Sequence, residues 1–189
     1  MPRNLAALYL VPALAALAAM AQAQSAYRVD YFVNANTVGA PDATLRLDND
    51  GAAGAKNLCA DIFVFDTHEE LSECCSCLET PDGLRTLSVN SDLTADPLTG
   101  VILTGGVIKV VAAATSGGTC PVPYKITVAA DAEIQAWATH IQNSSTVTET
   151  PSQVSSLSTA EAKKLAEQCG AIVASTGGGV CTCGTGTGS

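Results

Sequence analysis

The feature that most constrains this chain is a set of eight cysteines that follows an apolar N-terminal leader. An even number of cysteines in an exported chain predicts a disulfide framework, because oxidising compartments keep paired thiols bonded. The predicted framework consists of Cys59, Cys74, Cys75, Cys77, Cys120, Cys169, Cys181 and Cys183. We therefore expect the fold to be stapled by four disulfides among these residues.

The leader has the pattern of a signal peptide. Arg3 is its only charged residue, residues 5–21 are almost wholly apolar, and Ala-Gln-Ala at residues 21–23 is an A-x-A cleavage site. We expect cleavage after Ala23. A transmembrane anchor is less favoured, because the apolar run is short for a span of about 20 residues and Pro12 interrupts it. The sequence therefore predicts a secreted protein, located in the periplasm, on the cell surface or outside the cell, with no membrane span after leader removal.

The charge of the chain excludes two classes of partner. The chain carries 9 basic and 18 acidic residues, and its formal net charge is -9. Loss of Arg3 with the leader leaves 8 basic residues and a net charge of -10. Nucleic acids and anionic membranes are bound through basic patches, so neither is expected as a partner. The length favours one domain, with a sandwich over residues 24–142 and a linker, helix and tail over residues 143–189 that pack on it.

The body of the chain has the patterns of β-strands. Apolar and polar residues alternate from Tyr27 to Val33, and the continuous apolar run at residues 60–65 is typical of a central strand covered on both faces. Further strands are predicted at residues 44–48, 84–89, 107–112, 126–128 and 134–141. Short strands between turn signals predict an antiparallel β-sandwich, immunoglobulin-like or similar. Trp137, the only tryptophan, is expected to be mostly buried in the last of these strands.

One helix is predicted near the C-terminus, over residues 159–169. Ser158 and Glu161 form a capping box at its start, and Gly170 is suited to its end. Its apolar face consists of Ala162, Leu165, Ala166 and Cys169. The Ser- and Thr-rich residues 143–156 before it are predicted to be a loose connection.

The cysteine clusters allow two interpretations. Cys-Cys-x-Cys and Cys-x-Cys resemble soft-metal clusters, but zinc prefers paired C-x-x-C knuckles or histidine partners, so disulfides are favoured in an exported chain. A Cys74–Cys75 bond is disfavoured, because adjacent Cα atoms lie about 3.8 Å apart and a relaxed disulfide needs at least about 4.4 Å. We expect at least one bond from the Cys-Cys-x-Cys segment, taken as a loop, to Cys169, Cys181 or Cys183. Such a bond would attach the C-terminal helix and tail to the sandwich. The other pairings stay open.

No other constellation predicts chemistry. His68-Glu69-Glu70 lacks the second histidine of a zinc-protease motif, and residues 66–70 are expected to cap a short helical turn carrying Leu71. His140 is expected in plain surface or edge packing at a strand end. Residues 48–51 predict a hairpin turn, since the other ligands of a calcium loop are missing. No G-x-S-x-G elbow is present. The sequence predicts no catalytic residue, no cofactor-binding residue and no metal ligand.

Several short segments also form an ordered pattern. They are Leu58-Cys59-Ala60, residues 62–66, Glu73-Cys74-Cys75-Ser76-Cys77, residues 87–90, 92–94, 97–100, 136–140 and 148–150, and the closing residues 178–184. This pattern, which spans roughly residues 57–184, resembles a group of uncharacterised secreted bacterial proteins. The resemblance implies export and a shared disulfide framework, and it implies no activity.

The function expected from these observations is that of a non-enzymatic structural or interaction protein of the bacterial envelope or extracellular matrix. Its partners would be other envelope or matrix proteins. One alternative is a metal-binding or redox protein that uses the cysteine clusters. A second alternative is a hydrolase with an unmarked carboxylate or serine site.

Overall fold

The computed structural model describes residues 25–52, 54–121, 134–143, 145–175 and 177–184. Within these residues the chain forms nine β-strands, one helical turn and one α-helix. The strands are β1 (Ser25–Val33), β2 (Thr44–Asn49), β3 (Leu58–Phe65), β4 (Leu71–Glu79), β5 (Gly83–Ser88), β6 (Gly105–Ala114), β7 (Gln135–Gln142), β8 (Thr146–Pro151) and β9 (Gln153–Leu157). The helical turn, Val89–Leu93, follows β5, and the helix α1, Thr159–Ala174, follows β9.

The strands form two antiparallel sheets. The five-stranded sheet has the order β4-β3-β6-β1-β9, and the four-stranded sheet has the order β5-β2-β7-β8. The two sheets contact each other most closely where β1 approaches β7. The prediction of a mainly β fold with one C-terminal helix and a disulfide framework is confirmed. Its immunoglobulin-like form stays a prediction.

The main core lies between the two sheets. It receives Ile62 and Val64 from β3, and Leu45 and Leu47 from β2 on the opposite side. Phe63 points away from this core, into a second apolar cluster beneath α1. The prediction that β3 is covered on both faces is therefore confirmed, and it explains why seven consecutive positions of this strand, residues 58–64, are buried.

Helix α1 lies on the outer face of the five-stranded sheet. The Ser158 hydroxyl accepts a hydrogen bond from the Glu161 backbone N–H at 3.1 Å, so the predicted N-cap is confirmed. The predicted end at Gly170 is wrong, because the helix continues to Ala174. It ends where the Ser175 N–H bonds to the carbonyl groups of the last turn. The extra turn adds Ile172 to the buried face, which compensates for the small alanines before it.

The predicted loose connection over residues 143–156 is wrong. Its described part contains β8 and β9, separated only by Ser152. Threonine and serine side chains at an exposed edge do not produce the apolar alternation from which strands are predicted, although threonine favours extended backbone. Because β8 belongs to one sheet and β9 to the other, the chain changes sheets at Ser152.

Residues 66–70 form the turn of the β3–β4 hairpin, so the predicted helical turn is wrong. The Asp66 carboxylate accepts hydrogen bonds from the backbone N–H groups of His68 at 2.8 Å and Glu70 at 3.0 Å. These bonds stabilise a tight turn in which the side chain replaces a backbone acceptor. Leu71 begins β4, and the Cys-Cys-x-Cys segment is therefore part of a strand and not of a loop.

The turn predicted at residues 48–51 exists, but it is not a hairpin turn. β2 ends at Asn49, and Gly51 has a φ of +70°. The two strands that this turn joins lie in different sheets, so the turn carries the chain across the sandwich. The Asn49 side chain donates hydrogen bonds to the carbonyl groups of Lys56 and Glu79, which hold this crossing in place.

Trp137 lies on the outer face of the four-stranded sheet. Its neighbours Ala136 and Ala138 point into the core, whereas Trp137 is half-buried beside Arg46 and Pro151 of the adjacent strands. The expectation of a mostly buried tryptophan therefore holds only in part. The strand predicted at residues 126–128 lies outside the described residues.

Candidate functional site

All eight cysteines form disulfides, and three of these bonds join β4 to the C-terminal segment. The pairs are Cys59–Cys120, Cys74–Cys169, Cys75–Cys181 and Cys77–Cys183. Their Cα–Cα distances are 5.5, 5.9, 5.2 and 5.5 Å, within the usual range. The sequence predicted at least one bond of this kind, and the helix and the tail are both attached to the sandwich covalently.

The alternation of side chains along β4 explains the Cys-Cys-x-Cys spacing. Successive residues of a strand point to opposite faces. Cys74 therefore points outward to Cys169 on α1, whereas Cys75 and Cys77 point inward to the main core. Adjacent cysteines that face apart cannot bond to each other, and here they bind two different C-terminal elements.

The tail pairs with β4, an edge strand of the five-stranded sheet, at Cys74. The Cys74 N–H donates to the Gly179 carbonyl at 2.9 Å, and the Cys181 N–H donates to the Cys74 carbonyl at 3.3 Å. These bonds pair Val180 with Cys74 in a parallel bridge. Gly179 has a φ of +93°, and a Cβ atom there would lie 2.5 Å from Ile172 Cγ2, so this close approach requires glycine.

Arg85 joins the two sheets on the same side of the sandwich. Its guanidinium lies 2.5 Å from Glu79 Oε1 and donates to the carbonyl groups of Leu78 and Cys183. Burial raises the pKa of Glu79, while the Arg85 guanidinium lowers it. A buried carboxylate paired with arginine in this way stabilises the corner only while both partners are present.

On the opposite side of the sandwich, two edge strands lack an outer neighbour among the described residues. We call residues 146–157 the edge segment, because β8 forms the edge of one sheet and β9 forms the edge of the other. No strand among the described residues pairs with the outer side of either. Val147 is 49% exposed and Val154 is 58% exposed. The backbone N–H and C=O groups along the outer side of this segment are therefore available to a further strand.

A buried polar cluster holds the edge segment to the core. Asp30 of β1 accepts a hydrogen bond from the Ser152 hydroxyl at 2.8 Å, and its other oxygen lies 3.3 Å from His140 Nε2. His140 Nε2 also lies 2.8 Å from Thr150 Oγ1, and its Nδ1 lies 3.1 Å from the Tyr31 carbonyl. The expected surface position of His140 is wrong, since its side chain is 2% exposed. The cluster fixes the point at which the chain changes sheets.

The composition of this cluster resembles a catalytic triad, but its connectivity differs. In a triad the histidine accepts the proton of the nucleophile and the aspartate binds the other ring nitrogen. Here Ser152 bonds to Asp30 and not to His140, and Asp30 faces the same ring nitrogen as Thr150. The arrangement therefore suits a structural crosslink between strands better than proton transfer to a substrate.

Two further carboxyl groups are buried in the five-stranded sheet. Burial raises the pKa of Asp61 to about 7, although the hydrogen bond from the Ser76 hydroxyl lowers it. Burial also raises the pKa of Glu73 to about 8, opposed by a hydrogen bond from the Asp96 N–H at 3.1 Å. Glu73 Oε2 has no hydrogen-bond partner among the described residues. At neutral pH Glu73 therefore holds a proton, and Asp61 titrates close to that pH.

The sequence did not reveal Asp30, His140, Asp61, Glu73 or Ser152 as buried groups. One signal was present for Asp30, which shares the alternation of β1 with Phe32 and must face the same core. His140 and Ser152 meet Asp30 of β1, which is distant in sequence, whereas Asp61 bonds to Ser76 of the adjacent strand and Glu73 bonds to Asp96 of a loop.

The geometry gives little support to the alternative of a metal-binding or redox protein. The thiolates that a metal or redox cluster needs are bonded in pairs. Within the described ranges, no group of three or more His, Cys, Asp or Glu side chains is arranged to hold a metal ion. None of the described helices is long and apolar enough to cross a membrane. Four disulfides are typical of an oxidising, extracytoplasmic environment.

Comparison with known proteins gives no relative: no family model, no curated protein and no solved structure matches the chain.

Proposed function

We propose that this protein is a secreted or surface-associated, non-enzymatic interaction protein of the bacterial envelope or extracellular matrix. It contacts a partner by strand addition at the edge segment. The observation that carries the proposal is the contrast between the two sides of the sandwich. At Cys74 the tail bridges the outer side of β4, and three disulfides lock the C-terminal chain beside that strand, whereas the outer sides of β8 and β9 have neither a bridge nor a disulfide within the described residues.

β9 lacks the devices with which proteins block such edges, whereas β8 ends in Pro151. Natural edges carry lysine, inward charges, bulges or proline to prevent pairing. β9 contains no charged residue and no proline, and the only charge in β8, Glu149, is bound to Arg46 at 2.8 Å. An extended partner segment could therefore add its main chain to the outer side of β9, with Val154 as an apolar contact.

The leader and the disulfides support export. Residues 1–23 have the three parts of a signal peptide, and the four disulfides need an oxidising compartment. Intact mass of the protein recovered from the envelope and culture fractions tests this part. We expect the mass of residues 24–189 with eight hydrogens lost. A mass that includes the leader, or one with free thiols or bound metal, would contradict it and favour the metal or redox alternative.

Site-specific photo-crosslinking tests the edge contact. We expect a benzoylphenylalanine at Val154 to crosslink envelope or matrix proteins in the native bacterium. The matched control is the same residue at Leu84, which is 62% exposed on β5, the edge strand on the opposite side of the sandwich. Ser156→Lys, two residues along β9 on the same face as Val154, should reduce crosslinking from the Val154 probe, because a lysine on a free edge opposes pairing. Equal crosslinking from Val154 and Leu84, or none from Val154, would contradict the proposal.

A further inference from the structure

A groove lies between the last turns of α1 and the β3–β4 turn. Its volume is about 390 Å³, within the range of sites that bind small ligands or peptide side chains. The floor is apolar and consists of Leu71, Leu98, Ala171 and Ile172. Both Leu71 and Ile172 belong to the cluster beneath the helix, so the groove opens directly onto packed apolar side chains.

The walls of the groove are fixed. The Cys74–Cys169 disulfide attaches α1 to β4 within one turn of the groove. Two hydrogen bonds to Asp66 hold the β3–β4 turn, and the Leu98 N–H donates to the Ser72 carbonyl at 3.1 Å. A ligand would therefore meet a site that is already formed, which lowers the ordering cost of binding.

The rim carries polar side chains without partners. Glu69 and Glu70 are exposed, and neither side chain has an ion pair or hydrogen bond among the described residues. Gln168, on the facing helix, likewise has a free side-chain amide within the described part of the chain. Glu69 also has a φ of +65°, an uncommon conformation for a residue other than glycine or asparagine. The turn thus holds two carboxylates beside an apolar floor.

We propose that this groove binds a basic peptide segment of a partner protein, in which a lysine or arginine lies next to an aliphatic side chain. The aliphatic side chain packs on Leu71 and Ile172, the cation lies beside Glu69 and Glu70, and the Gln168 amide bonds to the peptide main chain. Charge complementarity selects this occupant. A second copy of this chain carries the same net negative charge, so it would be repelled from an acidic rim.

This second surface is independent of the edge segment. The groove lies at the β4 side of the five-stranded sheet, and the edge segment lies at the β9 side. A partner could therefore use either surface alone. A failed crosslinking experiment at Val154 leaves the groove proposal intact, and the reverse is also true.

Nuclear magnetic resonance titration of the oxidised, leader-free protein tests the groove. The probe is the peptide acetyl-Gly-Leu-Lys-Leu-Lys-Gly-amide, and its comparator has glutamate at both lysine positions. We expect saturable shifts of the Leu71, Leu98 and Ile172 amides with the basic peptide only. Glu69→Gln combined with Glu70→Gln should weaken binding by roughly twofold to thirtyfold, because two exposed ion pairs are lost.

Two more variants complete the test. Ala171→Phe fills the groove from an exposed helix position and should abolish binding while leaving the spectrum folded. Glu167→Gln removes a carboxylate that is paired with Lys163, so it is the charge-matched control and should leave binding unchanged. Absence of saturable shifts, equal binding of the acidic peptide, or binding that neither groove variant affects would overturn the proposal. Equal saturation by free lysine methyl ester would replace the peptide by a small cation and overturn it as well.

Discussion

Replacement of all six cysteines that join β4 to the C-terminal segment should abolish the stable fold, whereas loss of any one of these bonds should weaken it only in part. Each bond closes a long loop, with sequence separations of 95, 106 and 106 residues. In the chain-entropy model the first such closure contributes about 4.7 kcal/mol. Each further bond contributes less, because the first bond already holds the C-terminal segment near β4 and shortens the loop that remains to be closed.

The expected costs of removing single bonds follow from the remaining loops. With Cys75–Cys181 intact, the Cys74–Cys169 bond closes a loop of only roughly 13 residues, worth about 3 kcal/mol. The Cys77–Cys183 bond lies two residues from Cys75–Cys181 on both strands, so its loss should cost about 2 kcal/mol. The free energy of unfolding of a domain of this size is about 5–15 kcal/mol in total. The summed cost of losing all three bonds is therefore a large part of that free energy.

Urea denaturation of three serine variants measures these differences. The variants replace the pair Cys77 and Cys183, the pair Cys74 and Cys169, and all six cysteines. Loss of the pair that holds α1 should also release the helix, residues 159–174, to proteolysis while the sheets and the tail persist, because the helix is then held mainly by packing of Ala162, Leu165, Ala166 and Ile172. The prediction would be contradicted if the two variants that lack one bond lost equal free energies of unfolding. It would also be contradicted if the variant that lacks all six cysteines were as stable as a variant that lacks one bond.

The second large effect is a loss of stability as the pH rises from about 4 to 8. The buried carboxyl groups of Asp61 and Glu73 have pKa values raised to about 7 and about 8. Between pH 4 and these values the folded state keeps protons that the unfolded state releases. The free energy of unfolding therefore falls with rising pH over this window, and it is greatest below the pKa values of the unfolded chain.

For Asp61 the shift from 3.8 to about 7 corresponds to on the order of 4 kcal/mol lost by pH 8. Glu73 contributes with the same sign, since burial and the nearby Asp96 carboxyl both raise its pKa. Thermal or urea unfolding between pH 4 and 8 measures the slope. Asp61→Asn and Glu73→Gln should each flatten it, while Glu70→Gln, at an exposed position, should not. Stability that rises steadily from pH 4 to 8 would contradict this.

Local signals in the sequence were sufficient for several elements of the fold. The capping box at Ser158 and the alternation in β1 act within a few residues, so their interpretation needs no knowledge of the rest of the chain. The continuous apolar run of β3 also indicated correctly that both of its faces are covered.

The errors concern elements whose structure is decided by distant partners. β8 and β9 are exposed, so their strands are stabilised by pairing with β7 and β1 and not by an apolar pattern of their own. The turn after Asn49 resembles a hairpin locally, yet it joins different sheets because β2 pairs with β5 and β7. His140 is buried by contacts with Asp30 and Thr150, one of which lies more than a hundred residues away.

The position of the tail on β4 has a consequence for the order in which the molecule is completed. Cys181 and Cys183 follow every described strand of both sheets in the sequence, so they are synthesised after those strands. Until they arrive and are oxidised, β4 presents a bare edge, which is the kind of surface through which partly made β-proteins aggregate. Formation of the Cys75–Cys181 and Cys77–Cys183 bonds is therefore the step that protects the β4 edge. Chains truncated before Cys181 should accumulate as aggregates, although all their described strands are present.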